Sequence, residues 1–104
     1  MTVTPVAGAA NHIVTGGTAV TAITAKPAGI NGGYITNPLS TTDQGVGTVE
    51  PLIVDPTGAS PGSNANGTAI ALQPGQTFAL IPGQTTAVLV NATTTGHKFT
   101  SVVY

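Results

Sequence analysis

Ala71-Leu-Gln-Pro-Gly-Gln-Thr-Phe-Ala-Leu-Ile-Pro-Gly-Gln-Thr-Thr-Ala-Val-Leu-Val-Asn-Ala92, followed after Thr93-Thr94-Thr95 by Gly96-His-Lys-Phe-Thr-Ser-Val-Val-Tyr104, alternates β-forming residues with turn chemistry. Proline presets the backbone at the second position of a turn and glycine supplies the positive φ that follows, so Pro74-Gly75 and Pro82-Gly83 each reverse the chain. Three strands are predicted, near 77–81, 85–91 and 98–104. Turn signals every eight to twelve residues are the pattern of a small sandwich or barrel.

Working outward, the chain has 104 residues, enough for one domain with a single core. Only 5% of the residues are charged, against about 25% in an ordinary soluble domain. Disorder goes with low hydrophobicity and high charge; at 40% hydrophobic and nearly uncharged, this chain is expected to fold. A surface so poor in charge is expected to be covered by other protein. Threonine fills much of the polar quota, and its β-branched side chain favours sheet over helix. Lys26 and Lys98 are the only fixed cations. That excludes the several phosphate contacts of nucleic-acid binding and the basic cluster of an anionic membrane site. No cysteine is present, so no disulfide forms. The N-terminus lacks the basic start and apolar run of a signal peptide, and the expectation is a chain that stays where it is made.

Taken in order, residues 1–10 are small and interrupted by Pro5, and they read as an extended arm before a domain at 11–104. His12-Ile-Val-Thr15 predicts a short strand, hairpinned through Gly16-Gly17 to a partner at Thr18 to Thr24. Tyr34-Ile-Thr36 predicts a strand that Asn37-Pro38 interrupts, hence an edge strand or a crossing. Residues 40–47 predict a polar loop, 48–54 a strand with Pro51 at a bulge or edge, and Ala59 to Gly67 an exposed tip. Thr68 to Leu72 re-enters the sheet. The fold class is therefore all-β: a single-domain antiparallel β-sandwich or jelly-roll-like barrel with an extended N-terminal arm. Phe78 and Phe99 are expected in its core beside Leu80, Val88, Val90 and Val103.

No chemistry-bearing motif emerges. Asp43, Glu50 and Asp55 sit beside turns or prolines, where a carboxylate caps local backbone, and an acid pair would need two of them facing one cleft. His12 and His97 are far apart with no third ligand near them, whereas zinc needs three or four. His97 reads as a turn or surface residue. No serine occupies a nucleophile elbow and no glycine run forms a phosphate loop. Asn66-Gly-Thr68 and Asn91-Ala-Thr93 match the glycosylation pattern, as chance allows in so threonine-rich a chain. Neither enzyme, metal nor cofactor is expected. A sugar platform would have only Tyr34 and Tyr104 to use.

Four strings, Tyr34-Ile-Thr-Asn-Pro38, Val49-Glu-Pro-Leu-Ile-Val-Asp-Pro-Thr-Gly58, Leu72-Gln-Pro-Gly-Gln-Thr-Phe78 and Val90-Asn-Ala with Gly96-His-Lys-Phe-Thr-Ser-Val-Val-Tyr104, resemble the small β-rich virion proteins of tailed bacteriophages. The resemblance covers about 34–104. It implies a capsid decoration, or cement, protein: a homo-oligomer, expected as a homotrimer, bound to the major capsid protein on the virion surface and made in the host cytoplasm. It also implies anchoring through an arm that adds a strand to a neighbour. Thr2, Val3, Thr4 and Val6 in the arm, with Tyr34 and Tyr104, are the expected interface residues. The alternative reading is a glycan- or host-binding module of a phage fibre or spike.

Overall fold

The computed structural model describes residues 4–104, so Thr2 and Val3 of the expected interface lie outside the described residues. Eight strands follow one another: β1 (Val6–Ala7), β2 (Val20–Ile23), β3 (Gly33–Thr36), β4 (Leu52–Asp55), β5 (Ile70–Leu72), β6 (Thr77–Leu80), β7 (Val88–Asn91) and β8 (Thr100–Val103). A one-turn helix α1 (Thr41–Gln44) lies between β3 and β4. Two four-stranded sheets form, in the orders β1-β8-β3-β6 and β2-β7-β4-β5, and every pairing is antiparallel. β1 pairs with β8, β2 with β7, β3 with β6 and β4 with β5, so the chain is one long antiparallel ribbon folded at residues 56–69. Contacts of β3 with β8 and β4 with β7 then close it. This is the strand order of an eight-stranded jelly roll, a double-sheet form of the β-sandwich.

The two Pro-Gly turns form as their chemistry demands. Gln76 N–H donates to Gln73 O at 3.0 Å and Gln84 N–H to Ile81 O at 3.1 Å, with Gly75 and Gly83 at φ of 86° and 87°. Each joins strands in different sheets, because β6 belongs to the first sheet while β5 and β7 belong to the second. The turns are therefore corners between layers. The expected strands at 77–81, 85–91 and 98–104 appear as β6, β7 and β8.

Alternation along the strands sets the core. Ile35, Leu52, Val54, Val88 and Val90 are fully buried between the sheets, joined by Ile13 and Phe99 from the flanking segments. Phe78 and Val103 pack against the same cluster. Burying a side chain of this size is worth about 1.5–3 kcal/mol, and that apolar layer drives the two sheets together.

Several expectations need correction. Gly16-Gly17 does form a turn, with Thr18 N–H on Thr15 O at 3.0 Å, but no hairpin follows it. His12 instead bridges Lys98, with Ile13 N–H on His97 O and Gly17 N–H on Ala92 O tying this segment to 92–98, and β2 pairs with β7. β3 is an inner strand and not an edge, since Pro38 falls two residues beyond its end and takes no donor from the ladder. Residues 59–67 are not simply an exposed tip. Pro61 is buried, and its carbonyl accepts from the Asn91 amide at 2.9 Å, drawing the loop over the outer face of the second sheet.

The 40–47 loop contains α1. Ser40 Oγ accepts from Asp43 N–H at 3.1 Å at the start, and Gly45 closes the turn at φ 73°. The described part of the expected arm is extended. Val6–Ala7 lies along β8, and Ala9 N–H reaches Ala22 O of the second sheet at 2.7 Å.

Candidate functional site

One end of the roll is tied by a buried polar cluster where β3, α1, the Glu50 segment and the turn before β8 converge. Asn37, Gln44 and His97 are completely buried. The Asn37 amide donates to the carbonyls of Glu50 and Leu72 at 3.0 and 2.9 Å. Its Oδ1 therefore faces inward, accepting from Gln44 Nε2 at 3.2 Å and standing 2.8 Å from His97 Nε2. His97 Nδ1 lies 2.8 Å from Glu50 Oε1. Both ring nitrogens thus meet oxygen atoms of the cluster.

The Glu50 carboxylate also accepts from Thr94 N–H at 3.0 Å and from the Thr94 hydroxyl at 2.9 Å. Burial opposes its ionisation, but the bonds from His97 and Thr94 outweigh that and hold the carboxyl below its usual value. Every polar group in the cluster has a partner. The cluster fastens loops and leaves no unengaged nucleophile or base.

Asp55 plays a similar local part in the second sheet. Its carboxylate accepts from Thr57 N–H at 2.9 Å and from the Thr57 and Thr68 hydroxyls at 2.6 and 2.7 Å. Burial again works against ionisation, and those bonds prevail to keep the group below its usual value.

The three carboxylates are not brought into one cleft. Asp43 is on α1, Glu50 is committed to His97, and Asp55 caps the strand that leads into 56–69. Nor do the histidines meet as ligands: His12 is exposed, whereas His97 is fully buried in its turn and is not a surface residue. No described group of three His, Cys, Asp or Glu is placed to hold a metal. No described helix is long and apolar enough to cross a membrane.

Beside the buried cluster opens a cleft of about 820 Å³, lined by Asn11, His12, Thr36, Asp43, Lys98 and Thr100 with a wall of Pro38 and Leu39. Alternation along β8 puts it there. Lys98 and Thr100 are exposed while Phe99 and Ser101 are buried, and Thr100 is the register partner of Thr36. The same alternation carries Val102 and Tyr104 to the outer face of the first sheet. Tyr34 joins them there as the partner of both Val102 and Ala79. Tyr34 and Tyr104 therefore share one face, each half-buried, with the Tyr104 ring over Gly32. Thr4 and Val6 are exposed beside it, Val6 at the open edge of β1.

The distribution of charge is the site's most distinctive property. Asp55 is 3% exposed and the Glu50 side chain 15%, so two of the three carboxylates are turned inward. A described surface of 5277 Å² is left with Lys26, Asp43 and Lys98 as its exposed fixed charges, and two of those three line the cleft.

Sequence reasoning did not foresee the Asn37–Gln44–Glu50–His97 cluster. Only the Ser40-x-x-Asp43 capping pattern and Gly45 hinted at the helix that carries Gln44. No protein-family model matches the chain, and neither a curated protein nor a solved structure matches it.

Proposed function

We propose that this chain is a structural virion protein of the capsid-decoration type, which self-associates as a homotrimer and seats on the major capsid protein of a phage head. The observation that carries the reading is the surface: apart from the cleft, the described side chains expose a single fixed charge, Lys26. An uncharged surface is poorly protected against association and well suited to being covered.

The first sheet supplies a natural contact. The second sheet has its outer face partly covered by residues 56–69, but the first presents Ala7, Val102, Tyr34 and Ala79 in one row and Thr100, Thr36 and Thr77 in the next. From ordinary strand spacings this face measures roughly 19 by 14 Å, or about 270 Å². A stable pairwise interface buries about 800 Å² per partner. So small a contact gains strength through repetition, when many copies sit at fixed spacing and each junction closes as an intramolecular step. A shell provides that spacing. The jelly roll is also an architecture used by capsid proteins, which supports the reading by analogy of fold alone.

Light scattering across a concentration series, with rebinding to stripped phage capsids, tests the proposal. Self-association that weakens in Tyr34→Asp, together with rebinding, is the expected result. A chain that stays monomeric at high concentration and fails to rebind would end it.

The second reading, a host-glycan module of a fibre or spike, is favoured by the polar cleft beside α1. It locates recognition at Lys98 and Asp43, beyond the Thr36–Thr100 row of the tyrosine face.

A further inference from the structure

We propose that the cleft between Asn11–His12, α1 and the start of β8 binds an acidic sugar, with Lys98 receiving its carboxylate and Asp43 its hydroxyls. The inference does not depend on whether the protein sits on a capsid or on a fibre.

Size comes first. At about 820 Å³ the cleft falls in the range of ligand sites, roughly 300–1,000 Å³. Charge comes next. Lys98 and Asp43 are of opposite sign and line one cleft, yet they do not pair with each other. Among the described residues the single ion pair is Glu50 with His97. A lysine and an aspartate that face the same space without closing on one another both keep their water, and a ligand carrying an anion and neighbouring hydroxyls replaces it on both sides.

The remaining lining suits the same chemistry. The Thr36 and Thr100 residues are cross-strand partners, and the Asn11 amide adds a further polar group. Leu39 is 71% exposed, the largest value among the big apolar side chains, and with Pro38 it forms a wall for the C–H face of a pyranose ring. His12 Nδ1 lies 2.9 Å from Asn11 Oδ1, and both residues line the cleft. A phosphate dianion fits less well, because Asp43 would repel it and a lone lysine would have to hold it.

The site is also held in shape before any ligand arrives. Lys98 N–H donates to Gln44 O at 2.7 Å. Its stem runs past Gly45, where a β-carbon would come within 3.5 Å of Lys98 Cε. Gln44 is itself locked into the buried cluster with Asn37. A side chain whose base and stem are already placed loses less freedom on binding.

The experiment is a titration of the full ¹⁵N-labelled chain with glucuronate, N-acetylneuraminate, the methyl ester of glucuronate, glucose and glycine. Shifts confined to the cleft, with dissociation constants of about 1–10 mM for the two acids, are expected. The ester and glucose should bind at least tenfold more weakly, and Lys98→Gln and Asp43→Asn should each cost the acids a similar factor. Tyr34→Ala should change nothing. Both cleft residues are exposed, so the variants keep the fold, and the ester comparison on the unaltered chain stands without them. No cleft shifts up to about 50 mM acid, an equal response to glucose, or binding of glycine in place of the sugars would each overturn the proposal. The cleft adjoins the association face through Thr36 and Thr100, but self-association is read at Tyr34 and sugar binding at Lys98 and Asp43, so either result can fail without the other.

Discussion

Truncating Asn37 to alanine tests the claim that one end of the roll hangs on a single amide. The side chain takes part in four hydrogen bonds, two donated to the Glu50 and Leu72 carbonyls and two made by its Oδ1 with Gln44 Nε2 and His97 Nε2, three of them buried and the one to Glu50 part-buried. Gln44 keeps its bonds to the Pro38 and Glu50 carbonyls, and the Glu50 carbonyl keeps Gln44. The His97 N–H and the Leu72 carbonyl lose the amide that served them. Each buried group left without a partner costs about 1–3 kcal/mol. The expected loss is therefore about 2–6 kcal/mol, a large share of the roughly 5–15 kcal/mol that holds a domain folded. At about 4 °C or more per kcal/mol for a chain of this size, the melting midpoint should drop by roughly 8 °C or more.

Urea titration and thermal melting followed by circular dichroism measure the effect, with the exposed Asn64→Ala as control, expected within about 0.5 kcal/mol of the parent. Gln44→Ala combined with Asn37→Ala should cost less than the sum of the two, because they share a bond. A loss below about 1 kcal/mol for Asn37→Ala, or strict additivity, would refute the reasoning.

Glu50 and Asp55 are both held below their usual carboxyl values, so between the folded and unfolded values the unfolded chain binds more protons. Stability is then fully present above the usual carboxyl range and is lost as pH falls through the folded values; Glu50→Gln should lower stability at neutral pH and flatten this acid limb in denaturation curves. An acid limb identical to the parent's would show that Glu50 does not contribute to it. Gly33 lies in the middle of the first sheet at φ 148°, and a β-carbon there would overlap the Val102 carbonyl, so Gly33→Ala should destabilise by about 3 kcal/mol or more. Gly62→Ala, with nothing within 4 Å, should be near neutral, and similar melting midpoints for the two would contradict the β3–β8 register.

What the sequence determined by itself was local. Proline and glycine set φ within one or two residues, so the corners at Pro74-Gly75 and Pro82-Gly83 were readable, as were the strands between them and the all-β class. The placing of Phe99 in the core was readable in the same way. Strand partnership was not readable, since seven of the eight strands find their ribbon partner or their closing neighbour far along the chain, and no local residue encodes that register. The hairpin expected at Gly16-Gly17 failed for this reason: the turn formed, but residues 12–17 bonded to 92–98 and β2 paired with β7. Only the tertiary structure decided that His97 is buried against Glu50 and Asn37, and that Asp43 and Lys98, 55 positions apart in number, line one cleft. Hydrogen bonds and charges act over a few ångströms of space, and the folded sheets alone bring those distances about.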